Sequence, residues 1–520
     1  MTAVSSPVLV GRALQLDLLR KALERAGEGS PAAVLAGGEA GVGKSRLLTE
    51  FAGGLRDASA RVLIGGCIEL GADGLPFAPF TAVLRDLVRE LGVETIAGLL
   101  PGRAVRELAR LLPELGEPNA GGDPGEARAR LFEQVLVLLE RLAAQTPVVL
   151  AVEDAHWADR SSRDLLAFLV RNQRALARVL IVVTYRSDEL HRTHPLRPLL
   201  AELARIDWVE RMEVPRLSRR DAAELAARIT GRVPDAAHMD SLYRRTEGNP
   251  FFLETLLSSE EDGCDVQLPE TLRDLLLIRV QQLPEESQEL LRIASAGGDR
   301  VGHTLLAAVT GLNPAGLARA LRPAVTANTL IAEADDYVFR HALIREAVHE
   351  DLLPGEHGRL HTRFAEAIDA DPSLVPANRA AIETAHHWYS AHDVTWALIS
   401  AWRAADHAGR AVAHSERLDL LARVLELWDQ VPDAAQRIGA DHPRVLEEAV
   451  QAAYEAGETE RGIAFVSAAL KELDPATDPV RAALLMQMRA RFMHHLGRAD
   501  HSEDVSQVLA LVPADRYPAA

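Results

Sequence analysis

Lys44 and Ser45 close the run Gly38-Glu39-Ala40-Gly41-Val42-Gly43-Lys44-Ser45, which fits G-x-x-x-x-G-K-[ST]. These residue types suit one task, the grip of a nucleoside triphosphate. Gly38, Gly41 and Gly43 let backbone N–H groups curl around a phosphate, and a helix opening at Lys44 adds partial positive charge. The Lys44 ammonium reaches the β- and γ-phosphates and is expected to face solvent without them; the Ser45 hydroxyl is placed to ligate Mg²⁺. Glu153 and Asp154 end a second apolar run, Val148-Val149-Leu150-Ala151-Val152. One acid would hold Mg²⁺ through water and the other would orient the attacking water, and their order stays open. Arg186 ends a third apolar run, Val179-Leu180-Ile181-Val182-Val183-Thr184-Tyr185. It is a candidate sensor of the γ-phosphate; the alternative is an arginine capping a strand in a surface salt bridge.

These groups need a scaffold that brings them to one edge. Val34-Leu35-Ala36-Gly37 reads as a buried parallel strand running into the glycine loop, and Arg46-Leu47-Leu48-Thr49-Glu50-Phe51 continues the helix behind it. Arg61-Val62-Leu63-Ile64-Gly65-Gly66 reads as another strand, and Trp208-Val209-Glu210-Arg211-Met212-Glu213-Val214 as an edge strand. Carboxylates at the C-terminal edge of a parallel sheet lie where doubly wound folds bind ligands. An apolar helical pattern follows Val10-Gly11-Arg12, and further helices are expected near residues 79–92, 103–112, 126–145, 218–230 and 235–246. Residues 269–350 alternate short helices with a wing at residues 328–339, and from about Leu360 the chain reads as antiparallel helix pairs. Gly457 and Gly497 stand 40 residues apart at matching helix ends, a spacing that suits a helical-repeat array. The expected fold is an α/β P-loop NTPase, a parallel sheet with flanking helices, followed by a winged helix and all-α TPR-like repeats. The expected divisions are 1–215, 216–265, 266–355 and 356–520.

Composition narrows the function classes. The formal charge of −18 over 520 residues disfavours broad electrostatic binding to nucleic acid. No run approaches the roughly 18 apolar residues of a membrane span, and the N-terminus lacks the basic start and apolar core of a signal peptide. Two cysteines, Cys67 and Cys264, cannot build a disulfide framework. A cytoplasmic protein without membrane attachment is expected. Adjacent histidines such as His386 and His387 point in different directions from a helix, so surface and core roles are expected over metal ligation.

The residues 38–45, Glu153-Asp154-Ala155-His156-Trp157-Ala158-Asp159, Thr184-Tyr185-Arg186, Gly248-Asn249-Pro250-Phe251-Phe252-Leu253-Glu254 and Phe339-Arg340-His341-Ala342-Leu343-Ile344-Arg345-Glu346-Ala347-Val348 occur in that order. Together they resemble the signal-transduction (STAND) ATPases, and more narrowly the large ATP-dependent LuxR-type (MalT-like) regulators, over residues 8–430. The resemblance implies ATP/ADP and Mg²⁺ as cofactors. It implies a Val10-Gly11-Arg12 turn beside the adenine, phosphate contacts from Gly43, Lys44 and Ser45 with Val42 and Arg46 alongside, and Pro250 packed on the adenine. His341 is similar to a winged-helix histidine that touches the diphosphate; a histidine satisfied within the winged-helix core is the alternative. The sequence departs from the pattern in two places, with Glu153 where Asp is usual and Ala13 after Gly11-Arg12 where Glu is frequent.

The resemblance also implies self-association on ATP binding, and an inducer or partner protein at the helical repeats. A DNA-reading helix-turn-helix usually follows those repeats. The stop at residues 513–520, with no polar cap, leads to the expectation of a truncated regulator that would contact DNA only through a missing C-terminal domain. The alternative function is a regulatory ATPase module that controls a separate cyclase or kinase by protein contacts. A hexameric remodelling motor is disfavoured, because Arg192 and Arg197 are the only obvious finger candidates after the sensor strand.

Overall fold

The computed structural model describes residues 8–55, 60–69, 74–100, 102–118, 124–173, 178–261, 272–496 and 511. Cys264 and Gly497 lie outside them. The chain forms two compact units, one holding most residues up to Val375 and the other residues from Pro376 onward, with short earlier segments.

The first unit is built on five strands: β1 (Ala32–Gly38), β2 (Arg61–Gly66), β3 (Val148–Glu153), β4 (Val179–Arg186) and β5 (Val209–Glu213). They pair in the order β2-β3-β4-β1-β5, and every pairing is parallel. Continuous Val, Leu, Ile and Ala runs permit this, because a parallel sheet is covered by helices on both faces. All seven β1 residues are buried, as are the first five of β3. The register carries the functional consequence. Gly38 pairs with Arg186 and Gly66 with Glu153, so the glycine loop, the acids and the arginine leave the sheet at one edge.

One face is covered by the helix Ala13–Gly27, which buries Leu19, Ala22 and Ala26, and by Lys44–Leu55, which buries Leu47, Leu48, Phe51 and Leu55. The expected helices near 79–92, 126–145, 218–230 and 235–246 are found as Ala78–Leu91, Pro124–Gln145, Arg219–Thr230 and Ala236–Thr246. The one placed at 103–112 ends earlier, as Gly102–Leu108, and a turn follows it. Ser218 and Asp235 start their helices by accepting N–H bonds from Asp221 and His238. These two helices and Pro250–Glu261 bury Leu225, Ile229, Leu242, Leu253 and Leu257 in a core of their own, which Val10 and Leu217 join. Each such leucine contributes roughly 1.5–3 kcal/mol on burial.

A second sheet follows: β6 (Arg300–Gly302), β7 (Leu330–Glu333) and β8 (Asp336–Phe339), antiparallel in the order β6-β8-β7. The helices Glu285–Ala296, His303–Thr310 and Pro314–Thr326 precede the β7–β8 hairpin, which is winged-helix topology. Ala342–Glu350 and Pro354–Ala370 come next. The latter packs tightly here, for a Cβ on Gly297 would come within 2.8 Å of Phe364.

The second unit is all helical, with helices Ala380–Ser390, Val394–Arg410, His414–Leu427, Ala434–Ile438, His442–Ala456, Thr459–Glu472 and Pro479–His495. Asp393, Asp441 and Asp478 cap three of them. Gly457 ends one in the left-handed region at φ 73°. A Cβ on Gly462 would sit 2.3 Å from Phe492, so only glycine permits that helix crossing. Among the described residues, no helix is long and apolar enough to cross a membrane.

Candidate functional site

The glycine loop turns through Gly41 (φ 75°) and Gly43 (φ 97°) into the helix that begins at Lys44. The first-turn N–H groups of a helix have no acceptors within it, so Lys44, Ser45 and Arg46 offer backbone donors to whatever lies in the loop. Lys44 differs from expectation. It is 7% exposed, and Nζ donates to the carbonyls of Gly38 (2.8 Å) and Glu39 (2.9 Å). The loop's own carbonyls supply its acceptors, and burial lowers the Lys44 pKa against the pull of Asp154. Ser45 is exposed and Arg46 half-buried.

Two segments distant in sequence brace this loop. The Arg12 guanidinium is buried and donates to the Val42 carbonyl at 3.0 Å; burial lowers its pKa, with Asp221 opposing. Gly11 has φ 68°, and a Cβ there would meet Asp221 and Leu217 at 3.0 Å. On the other side Asn249 Nδ2 donates to the Ala40 carbonyl at 2.9 Å, and Phe251 N–H donates to the Gly41 carbonyl at 3.4 Å. Pro250 opens its helix 4.0 Å from where a Gly43 Cβ would stand. Val10-Gly11-Arg12 and Gly248-Asn249-Pro250 therefore converge on residues 38–45. Asn249 was not singled out from the sequence, since 209 residues separate it from its loop partner.

The two acids part ways. The Glu153 carboxylate accepts a hydrogen bond from Ser45; burial and then Asp154 nevertheless push its pKa up to about 7. Asp154 adopts φ 52°, a left-handed conformation that turns it off the strand, and its N–H donates to Thr184 Oγ1 at 3.1 Å. Burial raises its pKa, with Arg186 and Lys44 acting against the rise. Glu153 thus belongs with Ser45, and Asp154 with the two cations.

Arg186 is 4% exposed. Its guanidinium pairs with Glu189 and, at 2.9 Å, with Glu346 of the helix Ala342–Glu350, and it lies 4.7 Å over the Trp157 ring. Burial works against its charge, but Glu346 and Glu189 outweigh that and hold its pKa above the ordinary value. His156 accepts the Arg186 N–H at Nδ1 (3.4 Å), and burial drives its pKa down to about 2, so it is a neutral spacer beside Asp154 and Glu189. A second arginine repeats the arrangement, since Arg345 pairs with Asp299 (2.8 Å) and with Glu69 just beyond β2. His341 stacks on Phe251 with ring centroids 4.0 Å apart, and its Nδ1 accepts the Leu343 N–H. Burial takes its pKa to about 3, with Arg186 and Lys44 adding to the effect. Glu189 joins the site outside the quoted motifs, and Thr184, His156, Phe251 and Glu346, within them, gain their roles from these contacts.

Nucleotide and Mg²⁺ fit these residues. Lys44 already satisfies itself with oxygen acceptors, and the desolvated, mutually repelling pair Glu153–Asp154 beside a serine hydroxyl is relieved by a divalent cation. Ser45 and Glu153 would hold the ion, which would neutralise phosphate charge. Residues 8–183 match the family model of the AAA ATPase domain. The chain carries an AAA ATPase domain. It is 26% identical over 415 residues to an uncharacterized protein of Rhizobium meliloti (strain 1021), covering 70% of this chain. The chain spans only 37% of that relative's length. Among solved structures it is similar to a STAND protein with a tetratricopeptide repeat sensor from Pyrococcus horikoshii, at 15% identity and TM-score 0.48, covering 99% of this chain and 79% of that one. It is also similar to the Walker-type ATPase of Pyrococcus abyssi, at 16% identity and TM-score 0.31, covering 67% and 98%.

Proposed function

We propose that this chain is an ATP-binding switch, the sensor and motor part of a LuxR-type transcriptional regulator. It hydrolyses ATP slowly with Mg²⁺ to reset and self-associates on ATP binding. One observation carries the switch reading. Arg186, at the end of β4 beside the phosphate loop, is charge-paired to Glu346 of the helix after the wing. A γ-phosphate arriving in the loop would compete for that guanidinium, so nucleotide state and winged-helix position share one charge. On this reading Gly38, Gly41, Gly43, Lys44 and the first-turn amides bind phosphates, Ser45 and Glu153 organise Mg²⁺, and Asp154 orients water. Val10, Gly11, Arg12 and Pro250 wall the nucleotide. His341, neutral and stacked on Phe251, supports the loop from the winged-helix side. The regulator assignment rests on the motif resemblance and places a partner or inducer at the helical repeats.

Light scattering of the chain with Mg²⁺ and either ATP or ADP tests the proposal. A larger particle with ATP than with ADP is expected, and failure to bind ATP refutes it. DNA titrations at two salt concentrations should show no sequence-selective binding by these 520 residues. Sub-micromolar selective binding would mean that the winged helix reads DNA.

A further inference from the structure

Helix Ala342–Glu350, which carries Arg345 and Glu346, presents His349 near its C-terminal end. Three residues separate it from the helix Pro354–Ala370, which carries His357 and His361 at i, i+4, one above the other on the same face. The short connection fixes the two helices closely: the Leu352 N–H donates to the His349 carbonyl at 3.2 Å, and the Glu356 carboxylate closes the second helix start by accepting the Leu353 N–H at 2.9 Å. The three imidazoles therefore converge. Their ring centroids lie 5.0, 5.9 and 4.4 Å apart for the pairs 349–357, 349–361 and 357–361. One ring nitrogen from each comes within 4.8 Å of the other two. His361 is buried, while His349 and His357 are half-buried, which leaves an approach from solvent.

We infer that His349, His357 and His361 form a binding site for a transition-metal dication of the zinc, cobalt or nickel class. Three imidazoles with no carboxylate in the cluster suit borderline ions and are poor ligands for Mg²⁺ or Ca²⁺, which take oxygen. Two histidines one turn apart plus a third from a neighbouring helix supply one face of a tetrahedron, and water completes it. The site is separate from the oxygen set of Ser45, Glu153 and Asp154. Occupied, it would tie the latch-bearing helix to its successor and fix where Glu346 stands relative to Arg186.

The test uses the tag-free full chain, stripped with a chelator and free of nucleotide. Wild type should take up about one tightly held Zn²⁺ per chain by calorimetry and equilibrium dialysis. It should also give the intense visible absorption of tetrahedral Co²⁺ and a raised Tm with Zn²⁺ but not Mg²⁺. His357→Ala and His349→Gln, each checked for native circular dichroism, should lose that equivalent and the cobalt spectrum, while His238→Ala, far from the cluster in sequence, keeps both. No stoichiometric Zn²⁺ in the wild type, or undiminished binding in both cluster variants, overturns the site.

Discussion

Replacing Glu153 by Gln should stabilise the nucleotide-free protein at pH 8 and leave it nearly unchanged at pH 5. The carboxyl pKa rises from 4.5 to about 7, because burial and then Asp154 penalise its charge while the Ser45 hydrogen bond offsets only part. A carboxyl whose folded pKa is raised favours folding in its protonated form. That contribution is fully present below the unfolded pKa near 4.5 and is lost as pH rises through about 7. The shift corresponds to about 3 kcal/mol at most, at ~1.4 kcal/mol per unit. Solvent reaching the half-buried group reduces this to about 1–2 kcal/mol. Glutamine keeps the shape and removes the charge, so at pH 8 the variant should recover that amount, read as a rise of about 2–4 °C in Tm. Adding Mg²⁺ and ATP should reverse the ranking, because the wild-type carboxylate then has a cation to hold. Thermal scans at both pH values, with and without Mg²⁺ and ATP, provide the measurement. A variant equally destabilised at pH 5 and pH 8 would show that Glu153 is satisfied as an anion without metal, and the metal assignment would fall.

Lys44→Ala should raise the ATP Kd by at least about a hundredfold, since roughly 3 kcal/mol of charge-assisted bonding to phosphate is removed. It should also cost about 1–2 kcal/mol of nucleotide-free stability through the lost bonds to Gly38 and Glu39; calorimetric ATP binding near the wild-type Kd refutes the phosphate role. Asp154→Asn should slow single-turnover hydrolysis by about a hundredfold with ATP affinity changed only a few-fold, and a larger turnover loss in Glu153→Gln would exchange the two roles. Glu346→Gln should tighten ATP binding about five- to tenfold, at about 1 kcal/mol for one partner of a pair whose arginine keeps Glu189, and leave ADP binding unchanged. Equal shifts for both nucleotides in a fluorescence titration would dissociate Arg186 from the γ-phosphate.

The three central strands β1, β3 and β4 were legible because a parallel strand buried on both faces is a nearly unbroken apolar run. The loop that follows β1 carries its chemistry in consecutive residues. The β7–β8 hairpin was legible too, its turn being short and polar. What the sequence hides is side-chain destination. Lys44 folds back onto the carbonyls of Gly38 and Glu39, and no residue type announces that. Asn249 and Glu346 lie 209 and 160 residues from their partners, and their roles depend on how helices pack against the sheet edge. The pair His357 and His361 carries a visible i, i+4 spacing, whereas the third member, His349, comes from another helix and is found only in three dimensions.

Why two arginines rather than one hold the winged-helix segment to the ATPase sheet follows from what a nucleotide can reach. Arg186 stands at the end of β4, next to the phosphate loop through the β1–β4 register, and Lys44 and Asp154 both feel its charge. A γ-phosphate can compete for it against Glu346 and Glu189. Arg345 is bound to Asp299 and Glu69, and Glu69 lies beyond β2, on the opposite side of β3. Under the proposed switch, nucleotide would therefore act on one clasp and leave the other intact. A ligand shifts a conformational equilibrium only by its differential affinity for the two states, and partly exposed ion pairs contribute about 1 kcal/mol each. On the proposed reading ATP alone would then loosen the segment without releasing it, since the Arg345–Glu69 pair and the His341–Phe251 stack remain. Full release would then need a second input of similar size. On the proposed reading a sensor would supply that input, and nucleotide state would be necessary for switching but insufficient by itself.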